Sequence, residues 1–240
     1  MQSKDKKRIA IITARGGSKR IPKKNIRSFC GKPILTYSIQ AALDADIFDT
    51  VMVSTDSEEI AQIAKEAGAE VPFMRSDATS GDYATTAEVL LEVLAEYEKQ
   101  GKCFDTVCCI YPTAPFVTAQ KLQNGIELLE ERDVDSVVPV VRYSYPPQRA
   151  FVRKDGYTVL KFPEYLGARS QDLEPFFHDC GQFYCMQVKN FTEKKQIFTD
   201  RMLSIEMMET EVQDIDNETD WKLAELKYQM MAKQSGSADN

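Results

Sequence analysis

With 240 residues, 43% of them hydrophobic, the chain is long enough to bury one sizeable core with room for a small appended part. A formal net charge of −7 excludes a general nucleic-acid binder, whose grip on phosphate backbones needs a broad basic surface. No stretch approaches a membrane span, and the apolar run 9–12 after the charged start is too short for the core of a signal peptide.

The first apolar run, 8–13, is short and β-branched and predicts a buried strand. It leads into ITARGGSKRIPKKN, where a Gly-Gly-Ser turn carries Arg15, Lys19, Arg20, Lys23 and Lys24. A helix is expected over 33–44 with Pro33 in its first turn, then a strand over 50–54. Another helix is expected over 57–67, with Asp56 as its cap and Gly68 as its stop. Strands over 70–73, 106–111 and 136–141 alternate with helices over 85–100 and 119–131. Such alternation implies an α/β fold with a doubly wound, mainly parallel sheet, whose ligands bind beyond the carboxyl ends of the strands. The loops 14–25, 55–56 and 112–115 fall there.

Residues 142–177, rich in Pro, Tyr, Arg and Gln, break the rhythm and read as an irregular excursion from the sheet. A strand returns over 182–188, a closing helix over 219–231, and 233–240 reads as a loose polar tail. Nothing separates two domains, so 1–240 is one domain. Cys30, Cys103, Cys108, Cys109, Cys180 and Cys185 have no C-x-x-C spacing and fit reduced thiols in a cytoplasmic protein. His178 is the single histidine, which argues against zinc.

The loop after the first strand matches neither of two familiar phosphate loops. At Gly31-Lys32 the earlier glycine of a Walker loop is Ile26 and the following hydroxyl residue is Pro33, and G-x-G-x-x-G is absent from the first turn. What remains is an anion cradle: Gly16 and Gly17 allow a tight turn with N–H groups facing an anion, Ser18 adds a hydroxyl, and the five cations add charge. Charge-assisted hydrogen bonds of this kind contribute about 1.5–3 kcal/mol each. The plainer reading is a solvated basic loop, with Arg20 the first to face water.

Ala14-Arg15-Gly16-Gly17-Ser18-Lys19 with Lys24-Asn25 resembles the N-terminal signature of the cytidylyltransferases that activate nine-carbon 2-keto sugar acids, the sialic acid synthetase family. The resemblance runs on through Phe29-Cys30-Gly31-Lys32-Pro33, Val53-Ser54-Thr55-Asp56, Pro112-Thr113-Ala114-Pro115 and Asp214-Ile215-Asp216. Arg169-Ser170-Gln171-Asp172-Leu173 and the run from His178 to Tyr184 look most like the pseudaminic acid branch. The resemblance implies a Rossmann-like nucleotidyltransferase that moves CMP from CTP to the sugar's anomeric hydroxyl, releasing pyrophosphate and requiring Mg²⁺. It places Arg15 and Lys24 as catalytic cations, and Ala14, Gly16, Gly17, Ser18, Lys19, Asn25, Arg75 and Thr85 or Thr86 around the nucleotide. Arg75 also reads as a surface arginine, and either threonine as a helix cap. A D-x-D by itself reads more readily as a solvated acidic loop, but Asp214 and Asp216, on one side of an extended segment, match the family's metal pair.

For the sugar, Tyr111, Thr113, Arg149, Arg169, Gln171, His178 and Tyr184 are the expected contacts, since a 2-keto acid needs a cationic or amide partner. Tyr111 stands where the sialic acid enzymes carry Gln, which points away from N-acetylneuraminic acid; a tyrosine ending a buried strand also serves as packing. Cys180 and Cys185 replace the Ala and Trp usual in the pseudaminic branch. Residues 142–177 correspond to the family's dimerisation arm, which caps the partner's sugar site, so a homodimer is expected, with neither nucleic acid nor membrane as partner. Other readings are a legionaminic or N-acetylneuraminic acid synthetase, and a non-catalytic nucleotide-sugar sensor.

Overall fold

Strand β1 (Arg8–Thr13) lies inside the sheet, with Ala10 and Ile12 packed into one core cluster and Ile9 and Ile11 into another, all four fully buried. Burial on both faces explains an apolar run without polar alternation. The computed structural model describes residues 6–236; the charged start 1–5 and the end of the expected tail, 237–240, lie outside the described residues. After β1 come β2 (Ser28–Phe29), β3 (Lys32–Pro33), α1 (Leu35–Asp44), β4 (Thr50–Ser54), α2 (Glu58–Glu66), α3 (Asp77–Ser80), α4 (Thr86–Lys99), β5 (Thr106–Ile110) and α5 (Ala119–Glu131). The second half contains β6 (Ser136–Arg142), β7 (Phe151–Lys154), β8 (Tyr157–Leu160), β9 (Phe177–Asp179), β10 (Phe183–Gln187), α6 (Val188–Lys194), β11 (Met202–Glu206) and α7 (Glu218–Gly236).

The main sheet runs in the order β11-β6-β10-β5-β1-β4, with β9 also pairing with β6. β1 is parallel to both β4 and β5, and β11 to β6, whereas β10 is antiparallel to β5 and β6. The mainly parallel, doubly wound reading therefore holds, with β10 reversed inside the sheet and β9 also antiparallel to β6. Because the chain goes from β1 to β4 on one side and to β5 on the other, the carboxyl end of β1 is a topological switch point, where α/β sheets open a ligand crevice.

Several expectations are corrected. Residues 70–73 form no strand; Glu70 makes a single bridge to Met52. Pro33 is not in a helix: Cys30 and Gly31 take φ of +45° and +101°, the consecutive left-handed pair that closes a tight hairpin, so Lys32-Pro33 folds back on Ser28-Phe29. The cap of α2 is Ser57, whose side chain accepts from the Ile60 N–H, which frees Asp56 for another task. The excursion 142–177 contains the β7–β8 hairpin, and β9 and β11 add strands where no strand was expected. Helix α7 continues to Gly236, into the segment expected to be a loose tail.

A third apolar cluster joins the β2–β3 hairpin to the C-terminus, with Phe29, Ile34, Tyr37, Phe116, Ile215 and Trp221 all buried. The Phe29 and Trp221 rings meet edge to face at 5.6 Å. This cluster anchors α7 and presents residues 214–216 to the loop after β1.

Candidate functional site

The loop from Ala14 to Asn25 is tied at several points. Its start is fixed by the Ala14 N–H donating to the Ser54 carbonyl at 3.0 Å, and the Asn25 side-chain amide donates to the Arg15 carbonyl at 2.8 Å. The Gly16 N–H donates to Asp56 Oδ1 at 2.7 Å, so it is taken up by a protein carboxylate and is not free for a ligand's phosphate, contrary to the cradle reading. Glycine is needed at position 16 for room: a Cβ there would lie 3.2 Å from Ser57 Cβ and 3.6 Å from Asp56 Oδ1. A Cβ on Gly17 would meet nothing within 4 Å.

The loop walls a cleft of about 570 Å³ beyond the carboxyl ends of β1 and β5. Arg15, Ser18, Lys19, Arg20, Lys24 and Asn25 line it from the loop, with Arg75, Thr86, Tyr111, Thr113 and Asp216 opposite. Ala14, Gly16 and Gly17 form the turn behind that wall. Of the five loop cations, Lys23 stands apart, paired with Glu59 at 2.7 Å. Arg20 faces water as expected, its side chain 69% exposed, and at the rim of the cleft it pairs with Asp216 at 2.8 Å. Lys24 Nζ donates to the Ile215 carbonyl at 2.7 Å and lies 4.0 Å from Asp216 Oδ1. Burial lowers its pKa, against the opposing pull of Asp216 and Asp214. Arg75 is no free surface arginine: it donates to Ser54 Oγ at 3.0 Å and to the Ser54 carbonyl at 2.6 Å, and burial lowers its pKa too.

Ile215 is fully buried between Asp214 and Asp216, so the two carboxylates share the outward side of their segment. Partial desolvation, and then the charge of Asp216, raise the pKa of Asp214. Two hard oxygen donors held close at an electrostatic cost fit a divalent cation that completes its shell with phosphate and water. Among the described residues no group of three or more His, Cys, Asp or Glu gathers. The donor set thus suits a cation shared with a phosphate ligand rather than one caged by protein alone.

Thr85 is a cap: its hydroxyl accepts from the Glu88 N–H while the Glu88 carboxylate accepts from the Thr85 N–H. Thr86 is the threonine on the cleft, its Oγ1 at 3.2 Å from the Tyr111 hydroxyl. Past Thr86 and Tyr111 lies an adjoining cavity of about 310 Å³, walled also by Asp179, Tyr184, Ile197 and Phe198. Tyr184 lies edge-on to Tyr111 at 5.5 Å and to Phe198 at 5.6 Å, and its hydroxyl donates to Asp179 Oδ2 at 2.6 Å.

The other expected sugar contacts are elsewhere in the chain. Arg149 and Gln171 line a separate cavity of about 1140 Å³ at the base of the arm, and Arg169 pairs with Asp172 at 2.7 Å. His178 rests on Tyr143, ring centres 4.8 Å apart. Arg149, Arg169 and Gln171 belong to the segment that leaves the sheet after β6, whereas His178 lies in β9, opposite Val141, where the chain has rejoined the sheet. Sequence reasoning missed two acidic residues. Asp82 pairs with Arg15 at 3.0 Å and with Lys19, but sits in a loop without periodicity or motif. Asp179, next to His178, has no spacing or motif that marks it in the sequence.

The profile of the cytidylyltransferase family matches residues 9–236. A pseudaminic acid cytidylyltransferase of Campylobacter jejuni is 38% identical over 225 residues, 93% of this chain and 97% of that one. A CMP-N,N'-diacetyllegionaminic acid synthase of Legionella pneumophila is 32% identical, covering 90% and 94%. In fold, a CMP:2-keto-3-deoxy-manno-octonic acid synthetase solved with CTP superposes at a TM-score of 0.67 and 16% identity, over 95% of this chain and 99% of that one. With a family profile spanning nearly the whole chain and relatives matched end to end, this chain belongs to the cytidylyltransferase family.

Proposed function

We propose that the protein transfers CMP from CTP to the anomeric hydroxyl of a nine-carbon 2-keto sugar acid, pseudaminic acid foremost, and releases pyrophosphate. The observation that carries this is the adjoining pair of cavities sharing Thr86 and Tyr111: a cation-lined cleft for a triphosphate beside an aromatic cavity of sugar size. The sugar hydroxyl oxygen bonds to the α-phosphorus, the bond from that phosphorus to the bridging oxygen breaks, and the hydroxyl proton passes to water. Arg15, Lys19 and Lys24 supply fixed positive charge for the α-phosphate and the departing pyrophosphate, where preorganised donors contribute most. Asp214 and Asp216 hold the divalent cation, Mg²⁺ in this reading. When bound, it neutralises phosphate oxygens. Arg75 is rigidly held by Ser54 at the edge of the cleft, and Thr86 is placed to meet the ribose.

Exposed apolar side chains along the arm support a homodimer: Tyr145 is 89% exposed, Phe151 65%, Tyr157 74% and Leu166 72%. A second copy seated there brings a route for Arg149, Arg169 or Gln171 to reach the partner's sugar cavity. The six unpaired thiols fit a cytoplasmic setting. Among the described residues, no helix is long and apolar enough to cross a membrane.

Pyrophosphate release with CTP and a panel of sugar acids tests the reading. The expected kcat/KM for pseudaminic acid exceeds that for N-acetylneuraminic acid by at least about 10², since each mispaired buried polar group costs roughly 1–3 kcal/mol. A ratio near one assigns the protein to another branch, and no release with any sugar acid favours a nucleotide-sugar sensor.

A further inference from the structure

Resting on that reading, we propose that Asp179 determines sugar specificity: its carboxylate accepts a hydrogen bond from an acylamino N–H of the sugar acid, whose acyl group lies against Tyr184 and Phe198. Asp179 walls the smaller cavity together with Tyr111, Tyr184, Ile197 and Phe198. It makes no ion pair among the described residues. Its two oxygens are instead held by neutral donors, Oδ2 by the Tyr184 hydroxyl at 2.6 Å and Oδ1 by the Gly181 N–H at 3.0 Å. The backbone is held as well, by the pairing of Asp179 with Val140 between β9 and β6.

The carboxylate is thus fixed at both oxygens, and each oxygen keeps a lone pair for a further donor. A negative charge on that wall repels the substrate's own carboxylate, so the sugar's acidic end turns towards the cation-lined cleft. The opposite end of the sugar then faces Asp179. Of the groups such a sugar offers there, an acylamino substituent matches both features of the wall: its N–H meets the anionic acceptor, and its methyl meets the rings of Tyr184 and Phe198. A bare hydroxyl satisfies the acceptor but leaves the apolar surface uncovered.

The test pairs a substrate change with a side-chain change. Steady-state kinetics at saturating CTP would use pseudaminic acid and two analogues, each with one acetamido N–H replaced by an ester oxygen, on the wild type and on Asp179→Asn. In the wild type, kcat/KM for one ester is expected to fall about 10- to 100-fold, as for loss of a charge-assisted hydrogen bond, with the change mainly in KM. In Asp179→Asn the parent sugar falls by a similar factor, and the penalty for that ester shrinks to within about threefold, while KM for CTP and Tm hold. A purely structural Asp179 moves all three sugars together and leaves the ester penalty intact, which overturns the proposal. So does a wild type that penalises neither ester. A wild type that turns over no sugar acid at all overturns the functional reading, and this inference with it.

Discussion

Lys24 and Asp216 lie 4.0 Å apart although 192 positions separate them in the chain, and the Lys24 ammonium is held meanwhile by the Ile215 carbonyl at 2.7 Å. The contact joins the two halves of the site: the cationic loop from the first strand and the acidic segment before the last helix. Neither half makes the arrangement alone.

Arg15→Ala and Lys24→Ala should each lower kcat by about 10² to 10³ while leaving Tm nearly unchanged, the effect of losing one preorganised donor from a polar loop. If Lys24 acts as proposed, it also sets an alkaline limit to the activity. Its pKa is lowered by burial, so its charge is lost, as pH rises, earlier than for a free lysine. The alkaline limb of kcat/KM should therefore begin below the ordinary lysine range and move up in Lys24→Arg. Limbs that coincide in the two proteins place the titration elsewhere.

Asp216→Asn should raise the half-saturating Mg²⁺ concentration, because a neutral oxygen replaces a charged one, and a magnesium titration of initial rate measures it. Asp214 adds a stability effect of definite sign. Its folded pKa is raised, so its contribution to stability is fully present below the unfolded carboxylate value and is lost as pH rises through the folded one. At neutral pH without metal, Asp214→Asn should accordingly raise Tm while weakening activation by Mg²⁺. A lower Tm would mean that the carboxylate is favourably bonded in the folded protein.

Gly16→Ala should disturb nucleotide binding through the cap of α2. The new Cβ presses on Ser57, whose side chain caps that helix and which follows Asp56, the residue that holds the loop. Loss of such a cap costs about 1 kcal/mol, so a modest fall in Tm with a several-fold rise in KM for CTP is expected. Asp56→Ala, which frees the Gly16 N–H without adding bulk, should reproduce the KM change.

Trp221→Ala should cost about 3–5 kcal/mol as a cavity in the third apolar cluster. Because that cluster also seats Ile215, the variant's remaining folded fraction should need more Mg²⁺ than the wild type. Denaturant unfolding and a metal titration on the same preparation separate the two effects.

Phe151→Asp with Tyr157→Asp should yield a monomer by analytical ultracentrifugation, if the exposed hairpin seats the second copy. CTP should still raise Tm in that monomer, more than UTP or ATP does, while turnover of the sugar acid falls. A monomeric wild type refutes the role given to the arm.

The sequence made β1, β4, β5 and β6 legible, because a strand buried on both faces leaves a short, continuous β-branched run. It made the loop legible too, since charge and glycine concentrate where the strand ends. The reversal of β10 was not legible: its run Phe183–Gln187 is as apolar as a parallel strand, and direction leaves no mark on composition. Position 56 misled because an aspartate before a helix usually caps it, whereas here Ser57 caps and Asp56 turns to Gly16. Asp82 was invisible because its role comes from two cations more than sixty residues away.

The pairing of β9 with β6, Val140 opposite Asp179 and Arg142 opposite Phe177, means that the arm departs from the sheet and rejoins it at neighbouring points. An insertion closed at its base in this way can lengthen, shorten or be exchanged without shifting the register of any strand behind it. The chain is in effect a fixed nucleotide engine with an interchangeable head, and Asp179, the last residue of β9, is where the head meets the engine. Transplanting 143–176 between relatives should therefore alter oligomer geometry while leaving Asp179 and the chemistry at the triphosphate in place.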